Sequence, residues 1–195
     1  MKRKMTWLIC IPLALAAFWF ASNSRAATET PEYTVIRKDD KIEIRDYPAL
    51  TIATSPMEED GMSGGFGQLF RFITGNNESK EKIAMTSPVL IAADAGKRTM
   101  SFIMPKSTAE KGVPKPAGKD VTLGKVAPAR CAVLRFAGGR NVKNENAAII
   151  KLKAWLDTQK IQGLGEPMFA YYDPPWTLIP FRRNEVMIRI DNKYE

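Results

Sequence analysis

Polar and apolar residues alternate along several short segments of the chain, which is typical of β-strands that bury one face. The clearest case is Lys41-Ile-Glu-Ile-Arg45, where two isoleucines lie between charged residues. The proline- and lysine-rich segment 106–119 predicts an irregular surface loop instead. We predict strands over residues 33–37, 41–45, 49–54, 88–90, 99–104, 121–125, 130–136, 168–172 and 185–190.

Two other segments have the spacing of amphipathic helices. In the first, apolar residues form one stripe that ends before Gly75-Asn76-Asn77, which are typical helix-stopping residues. Phe72 falls off this stripe, so we predict a helix that is apolar on more than one side. The second helix is predicted from about Asn144 to Gln159, with an asparagine as its N-cap. The stripe of the first helix consists of Met62, Phe66, Leu69, Phe70 and Ile73.

The two halves of the chain repeat the same order of elements. The pair Pro48-Ala49 returns 80 residues later as Pro128-Ala129, and each pair precedes an apolar strand. Each strand leads to glycines, one amphipathic helix, a proline-flanked strand and a closing strand. Because neither copy could bury its apolar face alone, the two copies should share one core. The repeat therefore predicts a single antiparallel sheet or barrel of about eight strands.

The N-terminus has the three parts of a Sec signal peptide. Basic residues at positions 2–4 precede the apolar run 8–21, and Ser24-Arg25-Ala26 supplies the small residues of a cleavage site. The run has 14 residues, fewer than the ~20 that span a bilayer. We therefore expect a periplasmic or secreted protein with no membrane span after cleavage, and an uncleaved N-terminal anchor is the alternative. The expected division is a signal peptide over 1–26, a mobile leader over 27–32 and one domain over 33–195.

Composition narrows the classes of function. The 195 residues include no histidine, which excludes His-dependent catalytic systems, His-bound zinc and a proximal His on haem. Loss of residues 1–26 reduces the basic residues from 29 to 25 against 21 acidic ones, a net charge of +4. Because the remaining basic residues are scattered among acids, no nucleic-acid surface is expected. Cys131 is then the only cysteine, in an apolar run where a buried thiol acts as a small hydrophobe.

Five blocks of the sequence are distinctive: Phe70-Arg-Phe-Ile-Thr-Gly-Asn-Asn77, Ile83-Ala-Met-Thr-Ser-Pro-Val89, Met100-Ser-Phe-Ile-Met-Pro105, Tyr172-Asp-Pro-Pro-Trp176 and Arg182-Arg-Asn-Glu-Val186. In this order they closely resemble the SOUL haem-binding protein family, over residues from about 33 to 190. The resemblance implies a distorted antiparallel β-barrel of about eight strands, built from two pseudo-symmetric halves with two α-helices packed on the outside. It also implies binding of haem or a related tetrapyrrole, without catalysis.

The resemblance places the ligand against an apolar face around the first helix, near the loop that carries two prolines. The matching positions are Met62, Phe66 and Phe70 on the helix and Trp176 on the loop. Arg182 is a candidate partner for an anionic group such as a propionate. Alternatively, an arginine of this segment pairs with a carboxylate and pins the last strand. The candidate axial donors to iron are Met57, Met62, Met85, Tyr47, Tyr171 and Tyr172.

The leading hypothesis is thus an exported, non-enzymatic binder of haem or another planar tetrapyrrole in an apolar groove beside the first helix. Its affinity is expected from apolar burial, with little from iron ligation. The alternative is an interaction module that recognises a protein or a lipid-like molecule and has lost tetrapyrrole binding. The uncharged Ser63 and Thr177 favour it, because the resemblance implies basic residues near these positions. A carboxylate-based hydrolase is disfavoured because no convergent acidic pair is visible.

Overall fold

The computed structural model describes residues 28–57, 62–94 and 97–191, so the predicted signal peptide lies outside the described residues. Within them, the chain forms nine strands and three α-helices. The strands are β1 Thr34–Asp39, β2 Ile42–Tyr47, β3 Leu50–Pro56, β4 Val89–Asp94, β5 Lys97–Ile103, β6 Thr122–Val126, β7 Ala129–Phe136, β8 Gly163–Tyr171 and β9 Asn184–Ile190. The helices are α1 Met62–Ile73, α2 Lys106–Lys111 and α3 Val142–Thr158, and a 3-10 turn, Ile179–Phe181, precedes β9.

The nine strands form one antiparallel sheet in the order β1-β2-β7-β9-β8-β4-β5-β3-β6. This confirms the predicted α+β class and antiparallel pairing. The predicted closure into a barrel is not found, because no pairing joins β1 to β6 in the described part of the chain. Strand β1 pairs with the outer edge of β2 through a tight hairpin. In this hairpin Asp40 adopts a left-handed φ of 50°. Aspartate tolerates this conformation better than most residues do.

The sheet has the two pseudo-symmetric halves that the repeat predicts. Exchanging β2 with β6, β3 with β7, β4 with β8 and β5 with β9 reproduces the strand order from β2 to β6 in reverse. Helix α1 follows β3 in the first half, and α3 follows β7 in the second half. The approximate twofold axis therefore runs between β4 and β8, which pair with each other. Strand β1 lies outside the repeat.

The sheet buries apolar residues on both faces. The face that we call the helix face contributes alternate strand residues such as Ile42 and Ile44 to a core shared with α1 and α3. The opposite face, called the second face, contains a smaller apolar cluster drawn from strands, with Tyr47, Val133 and Met187 among its members. Strand residues cover one another on the second face, so the open sheet must be strongly curled.

Helix α1 buries Leu69 and Ile73 in the core, as its stripe predicts. Phe72, which falls off the predicted stripe, is also buried, so the buried side of α1 is wider than that stripe. Among the apolar side chains of α1 that the structure describes, Phe70 is the exposed one. The core can cover a wider part of a helix surface than one narrow stripe. In α1 the covered part includes Phe72 and leaves Phe70 exposed.

Helix α3 begins two residues before the predicted start, because the side chain of Asn141 accepts a hydrogen bond from the backbone N–H of Asn144 at 2.9 Å. Its first turn contains the buried Glu145, which receives hydrogen bonds from Tyr171 Oη at 2.6 Å and Arg98 Nη2 at 3.2 Å. These bonds fasten the start of the helix to β8 and β5. No described helix is long and apolar enough to cross a membrane.

One predicted loop differs from its predicted character. The loop predicted over 106–119 begins with the short helix α2, because Pro105 leads into a run of residues that tolerate helical backbone. The leader before β1 makes specific contacts: Glu29 forms an isolated bridge with Thr86, and its carboxylate accepts a hydrogen bond from the backbone N–H of Lys106 at 2.8 Å.

Candidate functional site

An aromatic pair lies on the outer side of α1. The rings of Phe66 and Phe70 stack with centroids 5.9 Å apart and an interplanar angle of 13°. Phe66 is half-buried and meets Phe102 of β5 edge to face at 5.4 Å, whereas Phe70 is 46% exposed. The pair therefore presents a flat apolar surface that is anchored to the core at one end. Met62 begins this helix, but its side chain lies outside the described part of the structure.

Trp176 and Arg182 lie in the loop between β8 and β9. Trp176 is 73% exposed, and it is followed by the exposed Leu178 and Ile179. The guanidinium of Arg182 donates to the backbone carbonyls of Thr177, at 2.8 Å, and of Pro175. Arg182 therefore braces the two sides of the loop that carries Trp176.

The sheet brings the base of this loop close to the aromatic pair. Phe102, which contacts Phe66, pairs with Val89, and Val89 pairs with Tyr171 at the end of β8. Two interstrand spacings separate Phe102 from Tyr171, which is roughly 10 Å. Trp176 comes five residues after Tyr171, so the loop that carries it begins near the aromatic pair of α1.

The tyrosines proposed as iron ligands are engaged elsewhere. Tyr171 Oη donates to Glu145, Tyr172 Oη donates to Glu185 at 2.8 Å, and Tyr47 Oη accepts from Arg45 at 3.0 Å. Burial raises the pKa of all three phenols, which therefore stay protonated. Among the described methionines, Met85 is exposed on the surface. Within the described residues, no three acidic or cysteine side chains converge to hold a metal ion.

A separate cavity of about 500 Å³ opens beside the β1–β2 hairpin, and we call it the arginine pocket. Its walls come from β1, β2, the end of β7, the 3-10 turn and the start of β9, with no residue of α1. Arg182 lines this cavity, so the structure assigns it to a different surface from Phe66 and Phe70. The charged lining residues are Lys38, Lys41, Arg45, Arg135, Arg182 and Arg183 against Asp40, Glu43 and Glu185.

A buried ion cluster forms the floor of the arginine pocket. Glu185 is 0% exposed and accepts hydrogen bonds from Arg45 at 2.8 and 3.1 Å and from Arg183 at 2.7 and 3.0 Å. Tyr172 adds the contact already described. The guanidinium of Arg45 lies 4.3 Å over the Tyr33 ring, and that of Arg183 lies 3.9 Å over the Tyr172 ring. Such stacking leaves both cations desolvated but paired.

The electrostatics of the floor favour its ionised state. Burial alone would raise the pKa of Glu185, but hydrogen bonds and charge from Arg45 and Arg183 outweigh it and hold that pKa below its usual range. Burial likewise opposes the charge of Arg45, yet Glu185 raises the pKa of that guanidinium. All three groups of the cluster are therefore charged at neutral pH.

The alternation of residues in β2 indicates the position of this ion cluster, but the sequence-based predictions did not use it. Glu43 and Arg45 alternate with Ile42 and Ile44, so they must share the face away from the isoleucines. Charges on one face of a strand are usually solvated, but here that face is the inside of a curled sheet. The predicted pairing of an arginine near the last strand with a carboxylate is confirmed by Arg183 and Glu185.

Comparison with solved structures shows the same fold at low sequence identity. The C-terminal domain of EcmrR matches with a TM-score of 0.53 and 9% identity, over 82% of this chain and 98% of that domain. A hydrolase from Listeria innocua gives a TM-score of 0.53 and 10% identity, over 80% and 94%. An uncharacterized conserved protein from the same organism gives 0.54 and 12%, over 89% and 98%. One fold supports many functions, so these matches concern the fold alone.

Sequence comparison adds the family. No curated protein sequence matches the chain significantly. The family model described as SOUL heme-binding protein matches residues 28–189, which is nearly all of the described chain. The strand-by-strand repeat and the five sequence blocks fall within the matched range. The chain therefore belongs to the SOUL heme-binding protein family.

Proposed function

We propose that this protein is an exported, non-enzymatic binder of haem or a related tetrapyrrole, which lies against Phe66 and Phe70 of α1. Trp176 of the β8–β9 loop would cover the ligand from the other side, and Arg182 would hold that loop in position. The observation that carries this proposal is the aromatic pair, because it offers a flat apolar surface in a member of a haem-binding family.

The residues fit the macrocycle better than they fit the iron. A planar tetrapyrrole can stack on the exposed ring of Phe70, whereas ligation of the iron by a histidine of this chain is excluded by composition. The buried tyrosines are committed to hydrogen bonds within the fold. Bound haem would supply its own redox and ligand-binding chemistry. The protein would supply an apolar surface and would remove one face of the ring from water.

The exposed part of Phe70 sets the expected loss of affinity. Buried aromatic side chains cover about 150–250 Å², so 46% of one corresponds to roughly 100 Å². At ~25 cal/mol per Å², its burial by the ligand contributes about 2 kcal/mol, or roughly thirtyfold in Kd. Phe70→Ala should therefore weaken binding at least tenfold and destabilise the fold by only about 1 kcal/mol, because the ring is half-exposed in the free protein.

The test is a titration of the mature protein with haemin and with iron-free protoporphyrin, followed by Soret absorbance and tryptophan quenching. Ile150→Ala is the matched control, because Ile150 is a 68% exposed apolar residue on α3, the counterpart of α1 in the other half. Similar affinity for haemin and protoporphyrin is expected if burial dominates. The proposal fails if neither ligand saturates at micromolar concentration, or if both variants bind like the wild type.

Export has its own test. The mass of the protein recovered from cells that express the full chain should correspond to a chain that begins at Ala27. Recovery of the uncleaved chain in the membrane fraction would show that residues 1–26 act as an anchor.

A further inference from the structure

We propose that the arginine pocket is a second binding site, which takes a small planar organic carboxylate. This site is independent of the tetrapyrrole proposal, because none of its lining residues belongs to α1 and its charged strand residues lie on the second face of the sheet. On β2, Glu43 and Arg45 alternate with Ile42 and Ile44 of the helix-face core. On β9, Glu185 alternates with Val186 of the same core.

The pocket carries an excess of positive charge. Its lining contains six basic and three acidic side chains, a net charge of +3. The two acids nearest the floor are already matched: Glu185 pairs with Arg45 and Arg183, and Glu43 pairs with Arg45 at 2.8 Å and with Lys38 at 3.3 Å.

The excess of positive charge comes from Lys41, Arg135 and Arg182, which we call the rim cations of the pocket. Between described residues, no carboxylate comes within salt-bridge distance of Lys41, Arg135 or Arg182. Asp40 is the single acid that lines the rim beside these three cations. Lys41 and Arg135 can therefore attract an anion without giving up an acidic partner, whereas the guanidinium of Arg182 also donates to two carbonyls of its own loop.

Size and wall chemistry narrow the class of anion. A volume of about 500 Å³ lies within the usual range for organic ligands and far exceeds a single inorganic ion. The aromatic residues Tyr33, Phe136 and Phe181 are among those that line the cavity. Rings beside guanidinium groups suit a ligand that is flat and apolar at one end and anionic at the other. A carboxylate at the rim with an aromatic body inside satisfies both requirements.

The ionised groups of the floor already satisfy one another. Glu185 accepts five hydrogen bonds from its neighbours, so its charge is satisfied and does not attract a cationic ligand. Arg45 is also fully engaged, with Glu43, Glu185 and Tyr47 as its acceptors. Discrimination between ligands therefore depends on the rim cations.

The experiment is isothermal titration of the folded mature protein with 2-naphthoate and with 2-naphthamide, its neutral counterpart of the same shape. We expect naphthoate to saturate at sub-millimolar concentration, more weakly as salt is added, and naphthamide to bind about tenfold less tightly. Equal binding of the two compounds, or no saturation with naphthoate at several millimolar, would overturn the proposal.

Two rim variants should shift the affinity in opposite directions. Arg135→Gln removes a cation and should weaken naphthoate binding about fivefold, whereas Asp40→Asn removes the rim acid and should strengthen it about twofold. Asparagine tolerates the left-handed backbone of position 40, so this second variant should keep its fold. Lys151→Gln, an exposed basic residue of α3, is the control. Equal effects of Arg135→Gln and Lys151→Gln would refute the site.

The two proposals fail separately. Phe70→Ala should leave naphthoate binding unchanged, and Arg135→Gln should leave protoporphyrin binding unchanged. If Arg135→Gln weakens both ligands equally and protoporphyrin displaces naphthoate, the arginine pocket is supported as the anion site, and the placement of the tetrapyrrole on α1 is refuted.

Discussion

Replacement of Glu185 by glutamine should be among the most destabilising single changes in this fold. The side chain keeps its shape in Glu185→Gln but loses its charge, and an amide cannot accept on both of its terminal atoms. Arg45 then keeps only Glu43 as an acidic partner, and Arg183 loses the carboxylate that it contacts at 2.7 Å. Both guanidinium groups remain on the inside of the curled sheet.

The magnitude follows from burial. The side chains of Arg45 and Glu185 are 4% and 0% exposed, so solvent screens their interaction poorly. Removing one partner from a buried ion pair typically costs about 3–5 kcal/mol, because the remaining charge is left uncompensated. For a domain of this size each kcal/mol lowers Tm by roughly 2–4 °C, so a decrease of about 10 °C is expected.

The free energy of unfolding from urea titrations, followed by circular dichroism, measures this cost. Glu43→Gln is the matched control, because Glu43 also contacts Arg45 at 2.8 Å but is 17% exposed, and its loss should cost about 1 kcal/mol. Arg45→Met should cost much less in the Glu185→Gln background than in the wild type. A cost below that of Glu43→Gln, or additive effects in the double variant, would refute the importance assigned to this cluster.

Two further predictions concern titratable groups. Burial acts to raise the pKa values of Glu185 and Glu43, but hydrogen bonds from Arg45 outweigh it and lower both. The two glutamates therefore stabilise the fold fully above the ordinary glutamate pKa of about 4.5. This stabilisation is lost as the pH falls through their lower pKa values in the folded state. The free energy of unfolding should therefore decrease from about pH 5 to about pH 3. An unchanged value over that range would contradict this. Burial also raises the pKa of Cys131 to about 11, so a maleimide should label a native chain that begins at Ala27 far more slowly than the same chain unfolded in urea. Complete labelling of the native protein at the unfolded rate would contradict the burial of this thiol.

Several features of the fold could be predicted from the sequence because they depend on local backbone geometry. Alternation identified β2, since side chains of a strand point to opposite faces at every second residue. Helical spacing placed Leu69 and Ile73 of α1 in the core. The repeated Pro-Ala pairs indicated two equivalent halves, and the strand order has that symmetry. Each of the five family blocks is a continuous stretch of sequence, so it could be recognised without a structure.

Only the tertiary structure decided which faces meet. Arg45 and Glu185 are 140 residues apart, and nothing local in either strand shows that the other will lie across β7 from it. The alternation of β2 determined that Glu43 and Arg45 share a face, but it did not distinguish a solvated face from the inside of a curled sheet. In α1, the sequence could not decide that Phe72 is buried and Phe70 exposed, because that depends on the angle at which the helix crosses β3 and β5. Pairing, curvature and crossing angle are properties of distant contacts, so the ion cluster and the arginine pocket exist only in the folded chain.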